Sequence, residues 1–413
     1  MIELLRDRTY LRYWLAVVVS FLGDAIVRIT LIYVAATLSD APALLIALVI
    51  VAQLLPSGVL GTFVGPLADR VPARVLLVGS DLARVGIVLA MIPVLDTAWL
   101  LLVLVLLEGV AKAFFETARI SAVPRIVGDP ERIPAAVALF QSTNHTLNLV
   151  GPAIGGLMLA AGSVEVVLVL DAATFVVSAL LLGGLAMLRE VPVTAPEPYW
   201  RSLRSGVRGV MEVPSLRFLA VFVVPVMLVL GLFTTNLNAQ LLTVFDLPPL
   251  EYGLAHAVFG AGSVLGALIG PPLVRRYSTN VLLVASVVLF GVALVVLVPV
   301  EGLRAAAGPV VIPLWCLLAG VGSGLFQVPM ATILLRDVPA ELRGRGVGLL
   351  NAVMVTFTVV GVTVGGVTAE RWGVAESIIG AGLVLLVATG VVVILRTVLR
   401  GRARPGPAEC PQG

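Results

Sequence analysis

The chain has 413 residues, 59% of them hydrophobic and only 12% charged, with a mean hydropathy of +1.10. A soluble domain carries roughly a quarter charged residues, so this composition excludes an ordinary soluble globular protein. The net charge of +3 gives no reason to expect nucleic acid as a partner.

Apolar runs of about 20 residues recur along the whole length, each long enough to cross a hydrocarbon core of roughly 30 Å. In lipid every backbone N–H and C=O must be satisfied within the segment, so these runs are expected to be helices. Barrel strands would be about 10 residues long and alternate in polarity, and these runs do not alternate. In chain order the expected spans are 13–38, 43–67, 74–95, 98–118, 135–160 and 164–188, then 216–242, 251–275, 280–300, 309–333, 346–369 and 373–397. The basic start, Arg6 to Arg12, leads into the first span without a small-residue cleavage site, so no signal peptide is expected.

Of the 27 Lys and Arg residues, 22 fall at the two ends and in alternate loops, two in the other loops, and three inside spans. The positive-inside rule then puts both termini in the cytoplasm. The alternation also supports the helix count, because a missed span would invert the pattern downstream. The expected organisation is a six-helix bundle over 1–188, a cytoplasmic linker over 189–215, a second six-helix bundle over 216–397 and a disordered tail over 398–413. Within the linker, Trp200, Leu203, Val207 and Val210 oppose Arg201, Arg204 and Arg208, the pattern of an interfacial helix. Cys316 and Cys410 have no obvious partner, and no metal cluster is suggested.

The halves repeat. LGTFVGPLADRVPARVLLVGS at 60–80 is similar to LGALIGPPLVRRYSTNVLLVAS at 265–286, with one inserted residue. VGPAIGG at 150–156 is similar to VGVTVGG at 360–366. Both matches pair helix n with helix n+6, the pattern of two parallel repeats related by an axis along the membrane normal.

An ionisable side chain within a span costs several kcal/mol unless it is paired or hydrated. The first six spans carry Asp24, Arg28, Asp81, Arg84, Glu108, Lys112, Glu116, His145 and Asp171; the second six carry almost nothing comparable. Asp24–Arg28 and Glu108–Lys112 lie at i,i+4, where the members of each pair could neutralise one another. Five carboxylates face three bases, so at least two lack an intramembrane partner and are candidate proton carriers. Asp24 and Glu108 come first, being nearest mid-membrane, and Asp171 third; Asp81 and Glu116 are expected at a cytoplasmic gate. Gln141, Asn144, His145, Asn148 and Pro152 mark one polar face of the fifth span, facing either a cavity or a neighbouring helix. In the second half, where Asn236, Asn238 and Gln240 cannot share one helical face, Gln327 and Asn351 are the preferred cavity candidates.

The loop after the second span reads Gly65-Pro-Leu67-Ala-Asp69-Arg70-Val-Pro-Ala-Arg74. It resembles the major facilitator superfamily signature G-x-L-a-D-R-x-G-R-K, with Pro72 and Ala73 departing from it. The resemblance implies a major facilitator fold of 12 transmembrane helices in two pseudo-symmetric bundles. It also implies a cytoplasmic gate at Gly65, Asp69, Arg70 and Arg74, whose Asp interacts with a helix N-terminus of the other half. Gly151-Pro152-Ala-Ile-Gly155-Gly156 resembles the end of the superfamily's antiporter motif, although Leu147 stands where an earlier glycine is expected. Gly23-Asp24, Ala122-Val-Pro124-Arg125, Asp171-Ala-Ala-Thr-Phe175 and Val338-Pro-Ala-Glu-Leu-Arg-Gly-Arg345 resemble the drug-exporter branch that contains macrolide efflux and enterobactin export proteins. The fourth span departs from the Arg-x-x-Gln-Gly pattern of many antiporters, with Val105 in place of the Arg before Glu108-Gly109.

The expected function is proton-coupled export of hydrophobic or amphipathic small molecules by alternating access, in the cytoplasmic membrane. The expected partners are the bilayer, a small-molecule substrate and protons, with no cofactor, and the chain is expected to act as a monomer. A lipid or lysolipid flippase on the same fold, and a non-transporting sensor or scaffold, are the alternatives. No enzyme constellation stands out, and no Gly-rich phosphate loop with Lys is present to bind ATP.

Overall fold

The computed structural model describes residues 4–68, 70–189, 214–297, 300, 302, 310–337 and 340–402. The described residues form twelve α-helices. In the first half these are α1 (Arg8–Thr37), α2 (Pro42–Ala68), α3 (Ala73–Met91), α4 (Ala98–Val127), α5 (Ile133–Ala161) and α6 (Val164–Gly183). In the second they are α7 (Pro214–Ala239), α8 (Pro249–Arg276), α9 (Thr279–Val295), α10 (Val311–Asp337), α11 (Ala340–Trp372) and α12 (Val374–Arg402). The expected interfacial helix and the tail beyond 402 fall outside the described residues.

Local chemistry sets several ends. The Asp7 carboxylate accepts from the backbone of Thr9 at 2.7 Å and caps α1. Gly128, at φ 70°, takes the left-handed turn that stops α4. Among the described residues nine helices are long and apolar enough to cross a membrane, and Pro42–Gly58 and Thr279–Val295 are shorter apolar helices. The remaining helix, α5, carries the run Gln141–Asn148 of polar side chains that lowers its hydropathy. Leu180, Leu268 and Val387 are 68%, 67% and 66% exposed, as expected where the surrounding solvent is hydrocarbon rather than water.

The packing repeats with the sequence. In the first half α1 packs on α5 and α6, α2 on α4, and α3 on α4 and α6; in the second half α7, α8 and α9 pack in the same way on α11 and α12, α10, and α10 and α12. The halves meet along two seams, α5 with α8 and α2 with α11. The last glycine of each repeated stretch lies on one of these seams. A Cβ on Gly156 would stand 2.5 Å from Pro249 O and 2.9 Å from the Gly253 Cα of α8. A Cβ on Gly366 would stand 2.6 Å from the Ala47 Cβ and 3.1 Å from Ala43 O of α2. Both crossings are at the end opposite the chain termini, so small residues close that end by letting backbones touch.

The two bundles differ in what fills their centres. With Ser80 aligned to Ser286, Arg84 of α3 corresponds to Phe290 of α9. Phe290 packs edge-on against Phe233 at 5.6 Å, and Phe233 against Trp315 at 5.9 Å. The Trp315 indole N–H donates to Ala293 O at 2.8 Å, so its one polar atom is satisfied. The second bundle therefore has an aromatic centre where the first has an ionic one.

Candidate functional site

The ionic centre is built around Arg84. It lies 11 residues past the start of α3, about 16 Å along the helix at 1.5 Å per residue. Its side chain is 1% exposed. The guanidinium pairs with Asp24 of α1 and with Glu108 of α4, whose Oε1 lies 2.7 Å from Nη2 and 2.9 Å from Nε. Nη1 donates to the Ser20 hydroxyl at 3.3 Å and lies 4.0 Å from Asp81. The guanidinium plane rests on the Phe175 ring of α6, 3.8 Å from its centre. Lys112 of α4 reaches the other oxygen of Asp24 at 2.9 Å.

Asp171 of α6 completes the group. It is 3% exposed and lies against Gly23, where any Cβ would collide with its carboxylate and with the Thr174 hydroxyl. Asp171 Oδ1 and both oxygens of Asp81 have no hydrogen-bond partner among the described residues. Three stretches singled out in the sequence, Gly23-Asp24, Glu108-Gly109 and Asp171 to Phe175, thus converge on one side chain that was not among the expected site residues. Four carboxyl groups surround two bases, Arg84 and Lys112, in a space largely closed to water. A buried carboxylate without a partner is costly, and here the two bases are shared among the four carboxyls.

Several expectations are corrected by this geometry. Arg28 does not pair with Asp24, nor Lys112 with Glu108; both carboxylates turn instead toward Arg84 across helix boundaries. Arg28 donates from Nη2 to Asn148 Oδ1 on α5 at 2.5 Å. Asp81, expected at a gate, is fully buried in the cluster, eight residues and about two turns past the start of α3. Glu116 is held by Arg119, 2.6 Å from its Nη2.

A polar cavity of about 200 Å³ opens beside the cluster, lined by Asp24, Arg28, Lys112, Glu116, Asn144 and Asn148. A second cavity of about 200 Å³ lies in the other half, lined by Met227, Phe290, Phe326, Gln327, Met330 and Met354 among others, and is almost wholly apolar. Asn144, Asn148 and Gln327 therefore line cavities, whereas Gln141 and His145 are exposed on α5 and line neither. The surroundings of Gly65 and Asn351, and Asp69 as a whole, lie outside the described residues; Arg70 is exposed and Arg74 half-buried at the start of α3. Gly151 and Gly155 pack on α1 at Ala25 and Ile26.

Other polar groups were missed or undervalued. Asn236, Asn238 and Gln240 are all buried. Asn236 donates to Ser377 at 2.6 Å; Asn238 accepts from Tyr252 at 2.5 Å and bonds His256 at 2.9 Å. Asn236 and Asn238 thus point to different neighbours, and Gln240 opens a π-helical turn that runs to Val244. Glu370, at the far end of α11, accepts from the first backbone N–H groups of α2, Ala43 at 2.9 Å and Leu44 at 3.2 Å. A carboxylate on a helix N-terminus is a favourable charge–dipole contact, and here it joins the two halves.

Comparison with known proteins agrees with this architecture. The profile of the family described as transmembrane secretion effector, a major facilitator superfamily family, matches residues 3–404. Macrolide efflux protein A of Streptococcus pyogenes is 20% identical, over 90% of this chain and 92% of that protein. The enterobactin exporter EntS of Shigella boydii is 29% identical, over 84% of this chain and 81% of that protein. The crystal structure of a bacterial homologue of the iron transporter ferroportin, in an inward-facing state, superposes with a TM-score of 0.70 at 16% identity, over 92% of this chain and 98% of that one. The family and its relatives are transporters, not enzymes, and the fold is the twelve-helix major facilitator fold. The chain is a multi-pass membrane transporter and belongs to the transmembrane secretion effector family of the major facilitator superfamily.

Proposed function

We propose that this transporter is a proton antiporter that exports hydrophobic or amphipathic small molecules by alternating access. The observation that carries the proton coupling is the Arg84 cluster, in which four carboxyls compete for two bases and Asp171 retains an oxygen without a hydrogen-bond partner among the described residues. Protonation of Asp24 or Glu108 releases Arg84 from one of its partners, and the guanidinium then shifts toward Asp81 or Asp171. Because Arg84 ties α1, α3, α4 and α6 together, such a shift repacks the first bundle, and rocking of the bundles about their seams follows. Glu370 on the N-terminus of α2 and the Gly156 and Gly366 crossings hold the far end shut in this conformation. The loop with Gly65, Asp69, Arg70 and Arg74 closes the other end in the opposite conformation.

Export rather than import is supported by the efflux and exporter names of the relatives. The polar wall at Arg28, Lys112 and Asn148 and the apolar wall at Phe290, Phe326 and Met330 suit a molecule with one polar and one apolar part. The protein works as a monomer in the cytoplasmic membrane with both termini inside, its bundles spanning 1–188 and 216–397. The test is accumulation of amphipathic dyes and antibiotics in cells with and without the gene, and with a protonophore added. Lower accumulation that the protonophore abolishes supports the reading; equal accumulation in both strains across the panel refutes it. A lysolipid flippase is the second reading, favoured by an apolar groove of about 510 Å³ on α7, α11 and α12, with Trp372 and Glu376 on its lining. Flipping of a fluorescent lysophospholipid in vesicles, without transport of soluble amphiphiles, would select it.

A further inference from the structure

The charges of the first bundle are sorted by their access to the polar cavity. The carboxylates are recessed: Asp171 is 3% exposed, Asp24 11% and Glu108 13%. Of the carboxylates that touch the cavity, Asp24 is taken by Arg84 and Lys112, and Glu116 by Arg119. The cations face the other way. Arg28 is exposed on α1, and Lys112 is 34% exposed.

Arg28 has five N–H donors and no acceptor capacity. Among the described residues its only hydrogen bond runs from Nη2 to Asn148 Oδ1. That amide is fixed in this orientation, because its Nδ2 donates to the backbone and side-chain oxygens of Asn144 at 2.8 and 3.0 Å. No carboxylate lies within ion-pair distance of Arg28 among the described residues. Asp24, one turn back on α1 and already held by Arg84 and Lys112, is within electrostatic reach of its charge, and so, across the seam, are Tyr252 and His256 of α8. Both of those side chains bond Asn238, so neither supplies a counter-charge.

We propose that Arg28, with Lys112 behind it, is the recognition site for an anionic group, a carboxylate or similar planar oxyanion, on an amphipathic substrate. The planar fork of Arg28 matches two oxygens of such a group, a geometry an ammonium does not offer. This inference deepens the export reading and rests on it. The apolar part of the same molecule is left to the apolar cavity of the second bundle.

The test uses the purified full-length chain in phosphatidylcholine nanodiscs and three matched fluorescent probes: dansylaminoundecanoic acid, its methyl ester and the corresponding dansylaminoundecylamine. Empty nanodiscs give the partition background. The acid is expected to bind about tenfold more tightly than the ester, and the amine more weakly than either. Arg28→Gln should bring the acid to the level of the ester while leaving the ester unchanged, and Arg28→Lys should keep part of the preference. If Arg28→Gln loses all three probes, Arg28→Lys decides: a retained preference for the acid supports the site and a lost one overturns it. Equal binding of the three probes by the wild type, a preference for the amine, or an acid preference that survives Arg28→Gln overturns the anion site and leaves the export reading standing. Failure of the wild type to bind any probe overturns both.

Discussion

Replacing Arg84 with Met removes the cation that joins four helices while keeping a flexible side chain of similar length. The structure sets the size of the effect. Glu108 has no other base within ion-pair distance among the described residues, and Asp24 keeps only Lys112. Contact with the Phe175 face at 3.8 Å is changed as well. Removing one partner of a buried ionic group leaves uncompensated charge and costs about 3–5 kcal/mol. The assay is unfolding by sodium dodecyl sulfate in mixed micelles, followed by fluorescence of the five tryptophans. Adding Glu108→Gln to Arg84→Met should recover part of the loss, since it removes the stranded charge; the two changes should therefore be strongly non-additive. Arg84→Met with a stability within about 1 kcal/mol of wild type, or simple additivity with Glu108→Gln, would refute the claim that Arg84 holds the first bundle together.

Gly156→Ala places a methyl group against Pro249 O and Gly253, so the seam overpacks by about 1–3 kcal/mol and the far end should open. Transport should fall, and a thiol reagent that does not cross membranes should label a cysteine at Leu44 faster. Glu370→Gln keeps an acceptor oxygen but removes the charge on the N-terminus of α2; labelling at the same cysteine should rise several-fold. Unchanged labelling in both variants would show that these contacts do not hold the far end shut. Met330→Trp fills the apolar cavity, so competition by bulky amphiphiles should weaken while the unfolding transition stays near that of wild type.

Much of the fold was legible because lipid leaves the backbone few choices. Twelve helices and their n to n+6 repeat are both present, and Gly156 and Gly366 lie at equivalent seams. Asp24, Glu108 and Asp171 were legible as ionisable side chains inside apolar runs, and they share one cluster. Their partners were not legible. The i,i+4 rule finds neighbours on one helix, whereas Asp24 and Glu108 find Arg84 on another, and only tertiary packing sets that distance. Arg84 stood out only as one of three bases within the spans, although its 11-residue distance from the start of α3 puts it deep in the bundle. The aromatic counterpart at Phe290 follows from the repeat, but its significance appears only once Arg84 is known to be the hub. Glu370 gave no signal, since a carboxylate at the end of a span reads as an ordinary solvated group until α2 is seen beneath it.

The central claim is that substrate and protons are exchanged at the Arg84 cluster. It is tested most directly by flux of a transported amphiphile in proteoliposomes, with and without an imposed pH gradient, in the wild type and in Asp24→Asn, Glu108→Gln and Asp171→Asn. The account predicts that the gradient drives accumulation in the wild type, and that Asp24→Asn or Glu108→Gln abolishes this drive while exchange of substrate down its own gradient continues. Gradient-driven accumulation that is unchanged in both of those variants would contradict it.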